Sequence, residues 1–273
     1  MRVVLGSLPC LRPRTTIFAL IVVLASAVGA STLVSGREPA TKRPGAGSVS
    51  STRSGPLVLV LTQTAGYHHA SIPAASAALR ALAAKSGVQL SFLGGAQQLD
   101  AATLRRARAV VFLLTSGELP LSAAGRRALV GFVDRGGGFV GVHSATDTFH
   151  HWPAYRQLIG AEFSHHPLPS LRRVIVEDRA NPITRGLAER FAIDEEFYVF
   201  RHDPRSRAHV LVRLDTGPAG ADRPLVWCRR QGRGRVFYDA LGHFPQTWSD
   251  PRQLRLVQQG MQWALGRTAA AGC

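Results

Sequence analysis

A histidine stands where an apolar segment ends in a tight turn. Residues 139–142 follow three glycines, and the sequence from Gly141 to Ala145 has the pattern Gly-x-His-x-Ala with His143 at its centre. Small residues on both sides of one side chain are typical of a nucleophile elbow, the sharp turn that exposes a residue above a sheet. Because the central residue is an imidazole and not a serine or cysteine, the pattern favours acid–base chemistry over a covalent intermediate.

Two further residues can complete an acid–base site. His243 follows Ala240-Leu241-Gly242, which predicts another strand end. Glu196 and Tyr198 alternate along the segment of a predicted strand at 197–200, which places both side chains on one face. Because residues beyond the carboxyl ends of parallel strands face a shared crevice, we expect His143, Glu196 and His243 to meet. His143 and His243 would serve as acid and base, with Glu196 orienting one of them.

A metal site is the alternative use of these side chains. His69, His143 and His243 are predicted at three separate loop tips, and three imidazoles with an open position suit a divalent ion such as zinc. No H-x-x-x-H or H-E-x-x-H spacing accompanies them, so the sequence leaves this alternative open. No other cofactor is predicted, because the glycine run at 136–138 precedes a strand whereas a dinucleotide-binding loop must follow one.

Strands and helices alternate in the first half of the folded region. The pattern predicts strands at 57–61, 88–93, 109–114 and 139–142, separated by helices at 74–85, 100–104 and 122–135. The second half departs from this alternation, with strands predicted at 174–176, 197–200, 210–214, 225–228 and 236–238 and helices at 152–159 and 252–265. This order predicts an α/β fold with a flavodoxin-like, doubly wound, mostly parallel sheet and an elaborated C-terminal half.

Five short motifs carry a resemblance to a known family. They are residues 64–72 (TAGYHHASI), residues 137–147 (GGFVGVHSATD), His166-Pro167, residues 195–198 (EEFY) and Gly242-His243. With these motifs in this order and at this spacing, the chain resembles ThuA-like (trehalose-utilization) proteins of the class I glutamine amidotransferase-like superfamily. The resemblance covers roughly residues 57–266. The resemblance implies that histidines and carboxylates line a pocket above the sheet. The catalytic candidates are His143, His243 and Glu196, and the substrate-binding candidates are His69, Asp147, His166 and Tyr198.

The resemblance also implies a function in carbohydrate metabolism, on a keto-sugar, disaccharide or glycoside. Tyr198 would donate to a sugar oxygen, and proton transfer beside a ketone would suit isomerisation or elimination. A glutamine amidotransferase reaction is not expected, because His143 occupies the position of the nucleophilic cysteine. Two alternatives remain: a non-catalytic carbohydrate-binding module, and a divalent-metal-dependent hydrolase using His69, His143 and His243.

The N-terminal region predicts export. Residues 1–35 combine arginines with an apolar run at 17–30 and small residues suited to cleavage, which indicates a signal peptide or, with the run extended to 34, a signal anchor. Residues 36–55 are rich in Gly, Ser and Pro and predict a flexible linker, so the folded domain is expected at 56–273. We therefore expect the domain to be extracellular, periplasmic or held outside the cytoplasm by a membrane anchor.

Charge and cysteine usage restrict the partners. Of the net charge of +16, residues 1–55 contribute +6, and the remaining +10 comes mainly from scattered arginines without interleaved aromatic runs. This pattern predicts a solvated basic surface and no nucleic-acid partner, and membrane contact only through the N-terminal segment.

Three cysteines permit at most one disulfide, and Cys228 is predicted to be a buried, inert thiol in a strand. The oligomeric state is left undetermined.

Overall fold

The computed structural model describes residues 55–217, 220–221 and 223–273. The predicted signal segment at 1–35 and all but the last residue of the predicted linker lie outside the described residues. The strands that the structure describes are β1 Leu57–Leu61, β2 Gln89–Phe92, β3 Ala109–Leu113, β4 Gly138–Val142, β5 Phe163–His165, β6 Ser170–Val176, β7 Arg190–Glu195, β8 Val199–Phe200, β9 His209–Leu214, β10 Pro224–Gln231 and β11 Gly234–Asp239. The described α-helices are α1 Ile72–Lys85, α2 Ala101–Arg105, α3 Ala123–Asp134, α4 Pro153–Ile159 and α5 Pro251–Ala264.

Five parallel strands form one half of a nine-stranded sheet, in the order β2-β1-β3-β4-β11. This is the flavodoxin-like order, in which the chain reverses direction across the sheet between β1 and β3. β3 and β4 are buried along their whole length, as strands covered on both faces must be. The predicted α/β fold with a doubly wound parallel core is therefore confirmed.

The elaborated C-terminal half continues the sheet with antiparallel strands. β10, β9, β6 and β7 follow β11 in that order, and each pairs antiparallel with its neighbour. β7 lies at the edge of the sheet. Its residues alternate between exposed and buried positions because only one of its faces packs against the core. The separate β5 and β8 form a two-stranded ribbon.

The sequence prediction was wrong in one part of this half. A strand was expected at 197–200, with Glu196 and Tyr198 on one face because they alternate along it. The structure instead has β7 at Arg190–Glu195 and β8 at Val199–Phe200, so that both side chains lie on the irregular segment between them. The preceding pattern Arg-Phe-Ala-Ile-Asp-Glu alternates clearly and was the signal that could have identified β7.

Side-chain caps fix the helices of the parallel half. Ser122 accepts a hydrogen bond from the backbone N–H of Gly125 at the start of α3, and Asp100 accepts one from Thr103 at the start of α2. Gly136 ends the turn after α3 with φ of +115°, a region that favours glycine. These caps confirm the predicted helix starts. Within the described part of the chain, none of the helices has the length and apolar character needed to cross a membrane.

The structure corrects the prediction for Cys228. This residue is fully buried in β10, as expected, but it is not a free thiol: it forms a disulfide with Cys273, with the two Cα atoms 5.3 Å apart. The C-terminal segment reaches it by passing Asn181, whose Nδ2 donates to the carbonyl of Ala271. The sequence allowed this pair but gave no information on where the terminal residues lie.

We expect reduction of the Cys228–Cys273 disulfide to lower the free energy of unfolding by about 2–4 kcal/mol, because the bond closes a long loop in the unfolded chain. The two cysteines are 45 residues apart. Denaturant unfolding of the wild type with and without reductant measures the effect. Cys273→Ser should reproduce the reduced value and show no further response to reductant. Identical midpoints for the oxidised and reduced wild type would contradict the prediction.

Candidate functional site

His143 is fixed in the position that the elbow pattern predicts. It directly follows β4 with a φ of +51°, a strained backbone conformation for a residue with a side chain, and it is fully buried. A Cβ at Gly141 would lie 2.8 Å from the Cδ1 atom of Ile159 and 3.2 Å from the Cβ atom of Ala145, so a larger residue there would need these neighbours to shift. The Nδ1 atom lies 2.7 Å from the carbonyl oxygen of Ala240, which can only accept, so Nδ1 carries the hydrogen and donates it. In the neutral ring, Nε2 therefore presents a lone pair.

His69 meets His143 from the loop between β1 and α1. Its ring is buried and stands almost perpendicular to the His143 ring, with the two Nε2 atoms 3.1 Å apart. On its other side, Nδ1 lies 3.4 Å from the hydroxyl oxygen of Ser144. Burial, together with the neighbouring His143 and His243, lowers the pKa of His69 to about 3. The ring is therefore neutral at physiological pH.

Glu196 contacts three imidazoles. Its Oε2 atom lies 3.4 Å from Nε2 of His143 and 3.3 Å from Nδ1 of His243, and its Oε1 atom lies 3.1 Å from Nε2 of His166. Burial by itself would raise the pKa of Glu196, but His143 and His243 outweigh it and hold this pKa well below the ordinary value. Glu196 is therefore an ionised carboxylate among groups that can take up a proton.

His243 is held by a residue that the sequence analysis did not select. Glu195 is fully buried, and its carboxylate accepts hydrogen bonds from the backbone N–H groups of Gly242 (3.0 Å), His243 (3.1 Å) and Glu196 (3.1 Å) and from the Thr247 hydroxyl. Gly242 has a φ of +123°, which turns the chain after β11 towards the site. Glu195 thus positions both Glu196 and His243. The adjacent pair Glu195-Glu196 was the available signal, but it does not show which carboxylate faces the site.

The titration of His243 is governed by the neighbouring carboxylate. Glu196 raises the pKa of His243 above its ordinary value, burial opposes this effect, and the charge of Glu195 adds to it. A histidine whose pKa is raised in the folded state favours folding below its unfolded pKa of 6.5, and this contribution is lost as pH rises through the folded value. His243 is therefore the cationic candidate in the cluster, in contrast with the neutral His69.

The remaining predicted residues lie around this cluster. Tyr198 packs against His143 with ring centroids 4.4 Å apart, and His166, whose side chain is 38% exposed, reaches Glu196 from the solvent side. Asp147 is turned away to His150, whose Nε2 lies 2.8 Å from its carboxylate, and burial raises the pKa of Asp147. The structure thus brings together His69, His143, Glu196, His243, His166 and Tyr198, and it places Asp147 in a neighbouring ion pair.

The cluster is compact and mostly buried. A cavity of about 420 Å³ lies among Arg156, Gln157, His202 and Arg207, and it contains none of the predicted site residues. Two exposed side chains contact the cluster: His166 reaches Glu196, and Tyr67, which is 63% exposed, meets the His69 ring edge-on. Four side chains, those of His69, His143, Glu196 and His243, each offer one ligand atom within 4.8 Å of the others. These four residues are the ones that could hold a metal ion.

Asp239 is a buried carboxyl group next to Ala240, whose carbonyl oxygen accepts the hydrogen bond from His143. It precedes Ala240, is fully buried, and accepts hydrogen bonds from the backbone N–H of Leu241 (3.0 Å) and from Gln253 Nε2 (2.9 Å). Burial raises the pKa of Asp239 to about 7, against these hydrogen bonds. Gln253 Oε1 has no partner among the described residues, so a rotated Gln253 amide can accept a hydrogen bond from the O–H of the neutral Asp239 carboxylic acid.

We expect Asp239→Asn to stabilise the protein at alkaline pH. An acid whose pKa is raised on folding favours folding below its unfolded pKa of 3.8, and this contribution is lost as pH rises to about 7. At pH 8 the asparagine variant avoids a buried charge, so its free energy of unfolding should exceed the wild-type value by on the order of 3 kcal/mol. Urea unfolding at pH 5 and pH 8 measures the difference, which should grow with pH. An equal difference at both values would refute the assignment.

Comparisons with known proteins agree with the fold and the motifs. The ThuA family model, described as trehalose utilisation, matches residues 57–264. A ThuA-like protein from Bacteroides uniformis is 22% identical with a TM-score of 0.66, covering 81% of this chain and 95% of its own. A second, from Parabacteroides merdae, is 17% identical with a TM-score of 0.65, covering 79% and 91% respectively. A comparison with curated proteins finds no match. These solved structures show the shared fold, and because the family model spans most of the chain, the protein belongs to the ThuA family.

Proposed function

We propose that this protein is an exported enzyme of carbohydrate metabolism that acts on a keto-sugar, or on a disaccharide or glycoside that carries a ketone, by proton transfer. The observation that carries the proposal is the contact of one ionised carboxylate, Glu196, with three imidazoles, those of His143, His166 and His243. The family description, trehalose utilisation, supports the substrate class. A cysteine-dependent amidotransferase reaction has no support, because His143 occupies the elbow and Cys228 is in a disulfide.

The hydrogen bonds assign the proton-transfer roles. His143 holds its hydrogen on Nδ1 against Ala240, so Nε2 can accept a proton from the carbon next to the ketone. The electrons of that C–H bond move to the ketone oxygen, which takes a proton from the protonated form of His243, while Glu196 stabilises the imidazolium formed at His143. Isomerisation is completed when the former carbonyl carbon takes up a proton and the hydroxyl group on the neighbouring carbon loses one to become the new carbonyl. Elimination is completed when the enol loses its proton to re-form the ketone and the glycosidic oxygen leaves the β carbon with a proton, as an alcohol.

Proton exchange with solvent tests this chemistry. A glucoside oxidised to a ketone at one ring carbon is incubated with the protein in D₂O, and proton NMR follows the position next to the carbonyl. We expect enzyme-dependent deuterium incorporation or conversion, and neither with the unoxidised glucoside. Saturable binding without exchange or conversion would support the carbohydrate-binding module in place of the enzyme, and neither binding nor exchange with any keto-glycoside would overturn the proposal.

Export rests on the residues at 1–35 and is supported by the disulfide. Structural disulfides form and persist mainly in oxidising compartments, such as the periplasm or the extracellular space. The Cys228–Cys273 bond therefore fits a domain that is outside the cytoplasm. Residues 1–55 fused to a reporter that is active only after export should give a signal. A silent reporter would contradict export.

A further inference from the structure

Two ring nitrogens face each other in the centre of the site. Nδ1 of His143 donates to Ala240, and Nδ1 of His69 lies against the Ser144 hydroxyl, so both rings direct Nε2 inward at a separation of 3.1 Å. At this distance the two nitrogens share either a proton or a cation. The Glu196 carboxylate adds a third acceptor, 3.4 Å from His143 Nε2. Three potential ligand atoms therefore meet in the centre of the cluster.

His243 supplies an independent observation. Its Nδ1 atom is buried and makes no hydrogen bond among the described residues, although it lies 3.3 Å from Glu196 Oε2. A buried polar atom without a hydrogen bond costs free energy, so such atoms in native structures call for a partner. This nitrogen belongs to the same four-residue group as His69, His143 and Glu196.

The separations match those of a metal coordination shell. Ligands about 2.0–2.1 Å from a tetrahedral zinc ion lie about 3.3–3.4 Å from one another. Three contacts in the cluster are 3.1 Å (His69 to His143), 3.4 Å (His143 to Glu196) and 3.3 Å (His243 to Glu196), and all four ligand atoms lie within 4.8 Å of each other. The cluster therefore needs little rearrangement to close around one ion.

The outer contacts are those that metal-binding side chains usually have. Ligating histidines donate their other ring N–H to a carbonyl or another polar group, which fixes the ring and its tautomer. His143 has the Ala240 carbonyl in this role and His69 has the Ser144 hydroxyl, while the second oxygen of Glu196 contacts His166. Three imidazoles and a carboxylate are a donor set that suits zinc and related divalent ions.

We propose that His69, His143, His243 and Glu196 bind one divalent transition-metal ion, with zinc as the reference ion. Binding itself stands on the geometry alone, whereas its catalytic meaning rests on the proposed function. Bound there, the ion would supply Lewis-acid polarisation of the ketone oxygen, and His143 and His243 would be its ligands. His166, which is partly exposed and contacts Glu196, would remain as an imidazole outside the ligand set.

Metal titration tests the proposal without any substrate. The full chain, purified without a histidine tag and treated with chelator, is titrated with Zn²⁺ and Co²⁺, and elemental analysis after dialysis gives the stoichiometry. We expect about one ion per chain and an intense visible Co²⁺ spectrum of the kind that four-coordinate sites give. His243→Ala, on a partly exposed loop, should weaken zinc binding by more than the about 10- to 100-fold that loss of an outer partner costs.

The matched control is His209→Ala, which removes a histidine that contacts a carboxylate, Asp178, outside the cluster. It should bind zinc as the wild type does. Stoichiometry far below one in the wild type after zinc loading, or equal losses in His209→Ala and His243→Ala, would overturn the proposal. Metal binding without exchange on keto-glycosides would refute the proposed function alone, and exchange that persists in metal-free protein would refute the catalytic role of the ion.

Discussion

Glu196→Gln should lower the turnover of a keto-glycoside by about 10²- to 10⁴-fold, the range expected for loss of an acid or base or of the group that orients it. The amide keeps the size of the side chain but cannot carry the charge that faces His143 and His243. His143→Ala and His243→Ala should have effects of the same order. Initial rates measured by NMR or by release of the leaving group give the comparison.

Two further results test whether these residues act as a unit. The double variant His143→Ala/Glu196→Gln should lose little more activity than the worse single variant, because a step already lost cannot be lost again. The matched control is Asp178→Asn, which alters another carboxylate paired with a histidine, His209, and should keep full turnover. Full activity in Glu196→Gln, or unfolding of the single variants by several kcal/mol, would contradict a chemical role.

The parallel half of the fold was predictable because its signals are local. β1 and β3 are continuous apolar runs, Ser122 and Asp100 cap the helices that follow, and the elbow at His143 needs only the small residues on either side of it. The convergence of His143 and His243 also follows from local facts, since each comes shortly after a strand and both strands, β4 and β11, run in one direction.

The remaining features depend on contacts between distant residues. The alternation at Arg190–Glu195 is a local signal that the prediction of a strand at 197–200 overlooked, whereas the antiparallel pairing of β7 with β6 is set across the sheet and is not visible in the sequence. Glu196 and Tyr198 nevertheless reach His143, but from an irregular segment and not from alternate strand positions. The Cys228–Cys273 bond likewise depends on where the chain end lies. In each case, the residue types indicated the chemistry, but their spacing along the sequence did not show which residues come together in the fold.

Glu195 is the clearest case of a role that only the structure assigns. It is adjacent to Glu196 and has the same side chain, but its carboxylate faces backbone N–H groups and the Thr247 hydroxyl, whereas the Glu196 carboxylate faces imidazoles. One carboxylate therefore positions the loop that carries His243, and the other meets the reacting region. Substituting each by glutamine separates the two roles.

We expect Glu195→Gln to lower the free energy of unfolding by on the order of 3 kcal/mol, because the amide N–H₂ must face a buried backbone N–H, of Gly242 on one side or of His243 on the other. Glu196→Gln should lower this free energy as well, because the lowered pKa of Glu196 means that its charge stabilises the folded state, but it leaves no backbone N–H without an acceptor. Denaturant unfolding measures both, with Glu177→Gln as a control because that exposed carboxylate pairs with arginines at the surface and should cost at most about 1 kcal/mol.

The pKa of His243 gives a second test of the positioning role of Glu195, because loss of a purely structural residue would not change it. Glu195 and Glu196 both raise the pKa of His243. Glu195→Gln removes one of these charges and weakens the hydrogen bonds to the backbone of Gly242 and His243, so the pKa of His243 should fall towards 6.5. An NMR titration of the His243 ring measures the shift, and the pH profile of turnover should move in the same direction. Wild-type stability in Glu195→Gln together with an unchanged His243 titration would show that Glu195 does not hold the loop.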